Sequence, residues 1–258
     1  MERKRGINKK GQLTIFIILG LLILFVVILL FMQNEKFRSI FTGGKSPVEQ
    51  IEDCLKDNVE EGLEILMLQG GSIEPQNYYL YDGNMVDYTC YTEENYDYCV
   101  MQKPLLKNSI EEELKNYANP KIKECISSVR ESLENGGARV TMKDPELVIE
   151  IFPKNILVEI DLDLTVSRDG EAKTYSKIQK NVKSDMYNFV MIATSIMAWE
   201  TRYGDAEILN YMLYYPSIRV EKKKQSEGST IYIISNRDNE EKFMFAVRSM
   251  TVPPGLIE

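Results

Sequence analysis

The sequence predicts an α+β protein: an N-terminal transmembrane helix followed by an exported domain of helices and then a mostly antiparallel sheet. Three observations predict this fold class. An uncharged apolar run lies near the N-terminus, apolar residues recur at helical spacing through much of 47–136, and they alternate with polar residues through much of 137–258. Helices that precede a set of antiparallel strands are typical of an α+β fold.

The N-terminal part combines a basic flank with an apolar run. Residues 1–12 carry five Lys or Arg residues against the single Glu2, and residues 13–32 contain no charge. As a helix rising about 1.5 Å per residue, this run would span ~30 Å, the thickness of a bilayer's hydrocarbon core. The positive-inside rule places the N-terminus in the cytoplasm and the remaining chain outside the cell membrane. We therefore predict a single-pass signal anchor whose residues 13–32 contact the lipid bilayer.

The junction between these two segments reads Lys9-Lys10-Gly11-Gln12 and leads into the apolar run. It resembles the class III signal of archaeal type IV pilin-like proteins. The resemblance implies that a prepilin peptidase cuts between Gly11 and Gln12 and that the chain is a minor pilin-like subunit, assembled with other surface proteins. Phe16 departs from the family, because many pilins have a glutamate there that is associated with subunit registration. An ordinary, uncleaved signal anchor explains the same residues.

A second resemblance covers the start of the outer domain. The KKGQ start and the stretch 61–71 are similar to uncharacterised membrane-anchored proteins of small-genome archaea. This resemblance implies a membrane-anchored protein and no particular activity.

The exported part is acidic. The chain has 31 Lys and Arg residues and 39 Asp and Glu residues; without the five basic residues and Glu2 of the N-terminal segment, 26 and 38 remain, a net charge of −12. Such a surface repels nucleic acid and anionic lipid headgroups. We therefore expect no nucleic-acid partner, and lipid binding by the outer domain would need a local basic patch.

A linker, 33–46, leads to a helical, disulfide-containing and tyrosine-rich subdomain, 47–136. Ser46 and Pro47 predict the start of a helix that Gly70-Gly71 ends. Asp82-Gly83-Asn84 predicts a hairpin between strands 77–81 and 85–91. A second helix is expected over 109–134, with an interruption at Asn119-Pro120.

Four cysteines in an exported domain predict two disulfides: Cys54, Cys90, Cys99 and Cys125. Cys54 and Cys125 each lie beside apolar residues at helical spacing, so we pair them as a link between two helices. Cys90–Cys99 is then a local clip. A zinc site using all four cysteines is the alternative, although no C-x-x-C pair is present.

The final subdomain, 137–258, is predicted to be an antiparallel sheet with packed helices. Asp169-Gly170 marks a hairpin turn after the alternating strand 156–164. The predicted helices are 186–203 and 206–214. The remaining predicted strands are the short segment around Val140 and Met142, then 147–152, 171–182, 218–222, 231–235 and 243–247.

The inventory of catalytic residues favours a non-enzymatic protein. The chain contains no histidine, which excludes Ser-His-Asp and Cys-His catalysis, and it shows no motif for a cofactor or a metal. A carboxylate-based envelope glycoside hydrolase remains the alternative. Asp161 and Asp163 share one strand face, but a solvated sheet face explains them. A surface ion pair beside a core tryptophan, Trp199, explains the acidic and basic residues of 200–205.

The tyrosine-rich segment is the candidate binding site, because tyrosine offers rigid contact area with a polar tip. Its tyrosines are Tyr78, Tyr79, Tyr81, Tyr88, Tyr91, Tyr96 and Tyr98. Two alternatives remain: the tyrosines pack the segment onto the helices, or the acidic residues among them bind Ca²⁺. These acidic residues are Asp82, Asp87, Glu93, Glu94 and Asp97. The sequence thus favours an anchored surface protein that binds a partner, with the scaffold of a membrane complex as a further alternative.

Overall fold

The computed structural model describes residues 19–23 and 45–251, and the chain divides into two compact units, Met1–Glu49 and Gln50–Glu258. Residues 19–23 are helical, whereas the rest of the predicted span 13–32 and the predicted cleavage site at Gly11 and Gln12 lie outside the described residues. Within the described residues, no helix is long and apolar enough to cross a membrane.

The described part has the predicted α+β composition, with its elements distributed along the whole of 47–248. The helices are α1 (Pro47–Leu68), α2 (Leu106–Asn135), α3 (Met186–Tyr203) and α4 (Leu209–Tyr214). The first strands are β1 (Tyr78–Tyr81), β2 (Asn84–Tyr91), β3 (Val100–Met101), β4 (Arg139–Thr141) and β5 (Glu146–Phe152). The others are β6 (Asn155–Arg168), β7 (Glu171–Lys183), β8 (Ile218–Lys224), β9 (Ser229–Asn236) and β10 (Lys242–Arg248).

The predicted start of α1 is confirmed by a reciprocal pair of hydrogen bonds. The backbone N–H of Glu49 donates to the hydroxyl of Ser46 at 3.3 Å, and the N–H of Ser46 donates to the carboxylate of Glu49 at 2.8 Å. This capping box satisfies two N–H groups that have no partner within the helix.

The predicted interruption of the second helix is wrong, because α2 runs through Pro120 without a break. Pro120 removes the N–H that would bond to the carbonyl of Asn116, which costs free energy. On both sides of the proline, however, the helix buries apolar side chains in the core, among them Leu114 and Ile122. Tertiary packing of this face outweighs the missing hydrogen bond.

Two sheets form the β part of the described residues. One has the order β1-β2-β10-β9-β8 with β3 beside β2, and the other has the order β4-β6-β5 with β7 beside β6. Their strand pairs are antiparallel except that of β2 with β10, which is parallel. Strands of both predicted subdomains, 47–136 and 137–258, therefore meet in the first sheet.

The two predicted hairpin turns are confirmed and follow from local chemistry. Asp82 and Gly83 between β1 and β2 have φ values of 49° and 79°, and Asp169 and Gly170 between β6 and β7 have φ values of 54° and 86°. Positive φ at both central residues is the geometry that Asp-Gly favours in two-residue hairpins.

Helices connect the two sheets. α2 packs against β4 and β5, while α3 contacts α2 and packs against β2, β9 and β10. The disulfide Cys54–Cys125 joins α1 to α2, with a Cα–Cα distance of 5.9 Å. About two turns further along α1, a Cβ placed on Gly62 would lie 2.6 Å from the ring of Tyr117, so glycine permits the close approach of the two helices.

Candidate functional site: the disulfide-clipped loop

The predicted disulfide Cys90–Cys99 is present, and it closes the loop between β2 and β3 with a Cα–Cα distance of 5.3 Å. We name residues 92–98 the clipped loop. Because all four cysteines are in disulfides, the zinc alternative for them is excluded. Both ends of the loop are therefore fixed covalently and by strand pairing.

Backbone hydrogen bonds also fix the middle of the clipped loop to the segment after β10. The N–H of Tyr96 donates to the carbonyl of Met250 at 2.7 Å, and the N–H of Met250 donates to the carbonyl of Asp97 at 3.1 Å. At the start of the loop, the N–H of Thr92 donates to the carbonyl of Arg248 at 3.0 Å. The loop thus has a defined backbone conformation without belonging to a sheet.

Tyr96 is the most exposed of the seven tyrosines, with 73% of its surface accessible. Its φ of 64° lies in the left-handed region, which costs free energy for a bulky L-residue. The hydrogen bond from its own N–H to Met250 and the one from Met250 to Asp97 hold it there, and most of its surface is exposed to solvent. Tyr98 follows at 45% exposure, so the loop presents two aromatic side chains to solvent.

The other tyrosines divide into two groups. Tyr78 is exposed, but Tyr79, Tyr81 and Tyr91 are partly buried against a cluster that contains Tyr88. This cluster consists of Val86, Tyr88, Ile231, Met244 and Ala246. Four of the predicted binding tyrosines therefore pack in this cluster on the sheet, which Leu68 of α1 also contacts.

Polar contacts hold these packed tyrosines in place. The hydroxyl groups of Tyr88 and Ser229 are hydrogen-bonded at 2.7 Å, and that of Tyr79 donates to Gln225 at 3.2 Å. Burial raises the pKa of the Tyr88 hydroxyl. Arg248 lies over the ring of Tyr91, with 5.6 Å from its guanidinium carbon to the ring centroid.

Acidic side chains surround the exposed tyrosines of the clipped loop. Glu93, Glu94 and Asp97 are exposed, and a carboxylate oxygen of Asp97 accepts a hydrogen bond from the N–H of Tyr98 at 2.8 Å. Residues 45–251 hold no cluster of three or more Cys, Asp or Glu groups arranged to bind a metal ion. The loop therefore presents negative charge next to aromatic surface.

Asp87, one of the residues in the Ca²⁺ alternative, belongs to a different environment. It is 6% exposed, and its carboxylate lies 2.5 Å from the ammonium group of Lys103. Lys103 also donates to the hydroxyl of Ser72 at 3.0 Å. Asp87 is thus the partner of a partly buried lysine, and it lies on β2 outside the clipped loop that carries the other acidic residues.

The two carboxylates of the hydrolase alternative lie on the solvated face of β6. The ammonium group of Lys143 is 2.9 Å from Asp161 and 3.5 Å from Asp163. Asp163 has a φ of 42° at an irregularity in the pairing of β6 with β7. A shared lysine on an open sheet face is a surface ion cluster, so this geometry gives no support to glycoside hydrolysis.

The prediction of a surface ion pair beside a core tryptophan is wrong for Glu200 and for Trp199. Glu200 is only 2% exposed, whereas Trp199 is 43% exposed. Helix α3 turns Glu200 inward, one turn after the buried Ile196, where it accepts hydrogen bonds from the hydroxyl of Tyr232 and from the N–H of Ala206. Asp205 instead pairs with Lys222 on the neighbouring strand.

Comparisons of the chain with protein-family models, with curated proteins and with solved structures gave no match.

Proposed function

We propose that the chain is a single-pass, membrane-anchored cell-surface protein without enzymatic activity that binds a protein partner through the clipped loop. The observation that carries the proposal is the exposure of Tyr96 at a positive φ in a loop held by a disulfide and by hydrogen bonds to Met250. Backbone strain maintained around an exposed aromatic side chain is typical of recognition sites.

The anchor is supported by the twenty-residue apolar run 13–32 and its basic flank. Export is supported by the two disulfides, because structural disulfides persist in oxidising compartments.

The chemistry of the clipped loop defines the class of partner. Tyr96 and Tyr98 offer flat amphipathic surface, while Glu93, Glu94 and Asp97 supply negative charge. A complementary partner carries basic side chains around an apolar or aromatic pocket. Since the loop is already ordered, binding would lose little conformational entropy, which favours affinity.

Site-specific photo-crosslinking on intact cells tests this proposal. Benzoylphenylalanine in place of Tyr96 should give a discrete crosslinked species that contains a second protein. The matched control places the same group at Val148, which is 41% exposed on the other sheet. Equal crosslinking at both positions, or none at Tyr96, would contradict the proposed binding site.

The second candidate is a minor pilin-like subunit, which the Lys9-Lys10-Gly11-Gln12 junction favours. Intact mass of the protein purified from cells with an archaeal-type prepilin peptidase tests it. Loss of Met1–Gly11 would support this candidate, and Gly11→Leu should then abolish the cleavage. An intact N-terminus would leave the plain signal anchor.

A further inference from the structure

Helix α4 presents apolar side chains that the protein does not bury. Residues 208–216 carry no charge, and none of the residues of α4 is buried. Leu209, Leu213 and Tyr214 are 61%, 77% and 81% exposed. A helix of a globular protein normally packs its apolar side chains against the core, whereas those of α4 are exposed.

The exposed side of α3 extends the same surface. Trp199 and Tyr203 are 43% and 54% exposed, and their ring centroids are 4.8 Å apart. One turn before Trp199, the hydroxyl of Ser195 is hydrogen-bonded at 2.8 Å to that of Tyr211 in α4, which links the two helices at this point. We name Trp199, Tyr203, Leu209, Leu213 and Tyr214 the aromatic face.

A basic strand lies against α4 in this otherwise acidic chain. Strand β8 contacts α4, and its cationic side chains alternate between the two faces of the sheet. Lys222 and Lys224 lie on the face that packs against α3, because Lys222 is opposite Tyr232, and both contact Asp205. Arg219 and Lys223 lie on the opposite face, where both contact Glu221. The two lysines on the side of α3 therefore exceed their carboxylate partner by one charge, although the chain as a whole has a net charge of −8.

We propose that the aromatic face lies in the headgroup region of a bilayer that contains anionic lipids. Tryptophan and tyrosine accumulate at the boundary between membrane and water because one end of each ring system is apolar and the other polar. Leucine side chains beside them enter the acyl region, and nearby lysines are attracted to anionic headgroups. The basic side chains of β8 near α4 form the local basic patch that an acidic outer domain needs in order to bind lipid.

This inference rests on the proposed membrane anchor. The linker 33–46 can span at most ~50 Å even when fully extended, so an anchored domain would remain within reach of the bilayer surface. A tether of this length raises the effective concentration of the aromatic face at the membrane. Weak interfacial contacts are then sufficient to hold the domain in one orientation.

The experiment uses Trp199, which is the single tryptophan of the chain. The full chain is reconstituted into vesicles of phosphatidylcholine and phosphatidylglycerol, with or without bromine on the acyl chains. Bromine quenches tryptophan only at short range, so a face buried ~5–10 Å into the boundary should lose emission by roughly twofold. Exposed Trp199 in water would keep its emission.

Two pairs of variants connect the signal with the aromatic face. Leu213→Asp with Tyr214→Asp should restore the emission, whereas Leu80→Asp with Val100→Asp should not, although Leu80 and Val100 are each 66% exposed. A single substitution on the side of α3, Lys224→Glu, should reduce quenching in the anionic vesicles.

Extraction of the vesicles with alkaline carbonate reports on the anchor separately. Protein that resists extraction but shows no quenching overturns the inference and leaves the anchor intact. Quenching that Leu213→Asp with Tyr214→Asp does not change also overturns it, as does self-association through the aromatic face without quenching. Quenching with loss of the protein on extraction supports the inference and contradicts the anchor.

Discussion

The hydroxyl of Tyr232 on β9 donates a hydrogen bond to the carboxylate of Glu200 on α3, inside the core. Tyr232 is 0% exposed and Glu200 is 2% exposed. The N–H of Ala206 donates to the same carboxylate oxygen at 3.1 Å. Burial, reinforced by the negative charge of Glu200, strongly raises the pKa of Tyr232. Burying a carboxylate without hydrogen-bond donors costs free energy, so the contact between β9 and α3 depends on both side chains.

Removing the Tyr232 hydroxyl should destabilise the fold. We expect Tyr232→Phe to lower the free energy of unfolding by about 1–3 kcal/mol, because Glu200 then loses a donor in the core. Urea denaturation of the full chain in detergent measures the change. Tyr203→Phe, at a tyrosine that is 54% exposed, is the control and should leave stability unchanged. An equal effect of both substitutions would contradict the assigned role of the pair.

The stability contributed by Asp87 should depend on pH. Burial raises the pKa of this carboxyl, and the hydrogen bond and charge of Lys103 only partly oppose the shift. The folded state therefore binds more protons than the unfolded state between the two pKa values of Asp87. The stability that it contributes is full below the unfolded pKa and is lost as the pH rises through the folded pKa.

Asp87→Asn makes this dependence measurable, because asparagine does not titrate. We expect the free energy of unfolding of the wild type to fall relative to that of Asp87→Asn as the pH rises from about 3 to about 7. Asp82→Asn, in the exposed turn between β1 and β2, is the control. A wild type that gains stability over Asp87→Asn with rising pH would mean that attraction to Lys103 exceeds the cost of burial.

The two disulfides should contribute unequally to stability. Cys54–Cys125 closes a sequence separation of 71 residues and Cys90–Cys99 one of 9. In the chain-entropy model, removing them by Cys→Ala pairs costs about 4 and about 3 kcal/mol, respectively. Denaturation of both variants tests the order. A larger loss of stability on removing Cys90–Cys99 would indicate that this disulfide stabilises the sheet by more than the closure of a short loop.

Pro120 should limit the stability of α2. It is exposed in the interior of a continuous helix and leaves one carbonyl without its helical partner. We expect Pro120→Ala to raise the free energy of unfolding by about 2 kcal/mol, which is the gain in helix formation less the increased freedom of the unfolded chain. Lys115→Ala, exposed in the same helix, should have almost no effect. Destabilisation by Pro120→Ala would show that the proline is needed for the path of the helix.

Features that depend on neighbouring residues were predictable from the sequence. The Asp-Gly turns follow from the low cost of positive φ at these residues, and the Cys54–Cys125 bridge follows from helical spacing that directs both side chains to the core. The exposure of Tyr96 could be anticipated only in part, because it depends on a hydrogen bond to Met250 from a distant part of the chain.

Features that depend on distant contacts were not predictable. The parallel pairing of β2 with β10 joins residues such as Tyr91 and Arg248, which are 157 positions apart. Glu200 shows the same limit, since its burial depends on the tyrosine that β9 places opposite it. The aromatic face could not be predicted from the sequence either, because the apolar residues of 206–214 have the same pattern as those of a buried helix.

Cysteine labelling on intact cells tests the anchored, outward-facing topology most directly. The wild type has no free cysteine and should not react with a membrane-impermeant maleimide. Val148→Cys, on an exposed strand position, should react in intact cells, whereas Lys4→Cys should react only after the membrane is permeabilised. If Val148→Cys remained unlabelled until permeabilisation, the domain would lie inside the cell, and the proposal of an exported surface protein would be contradicted.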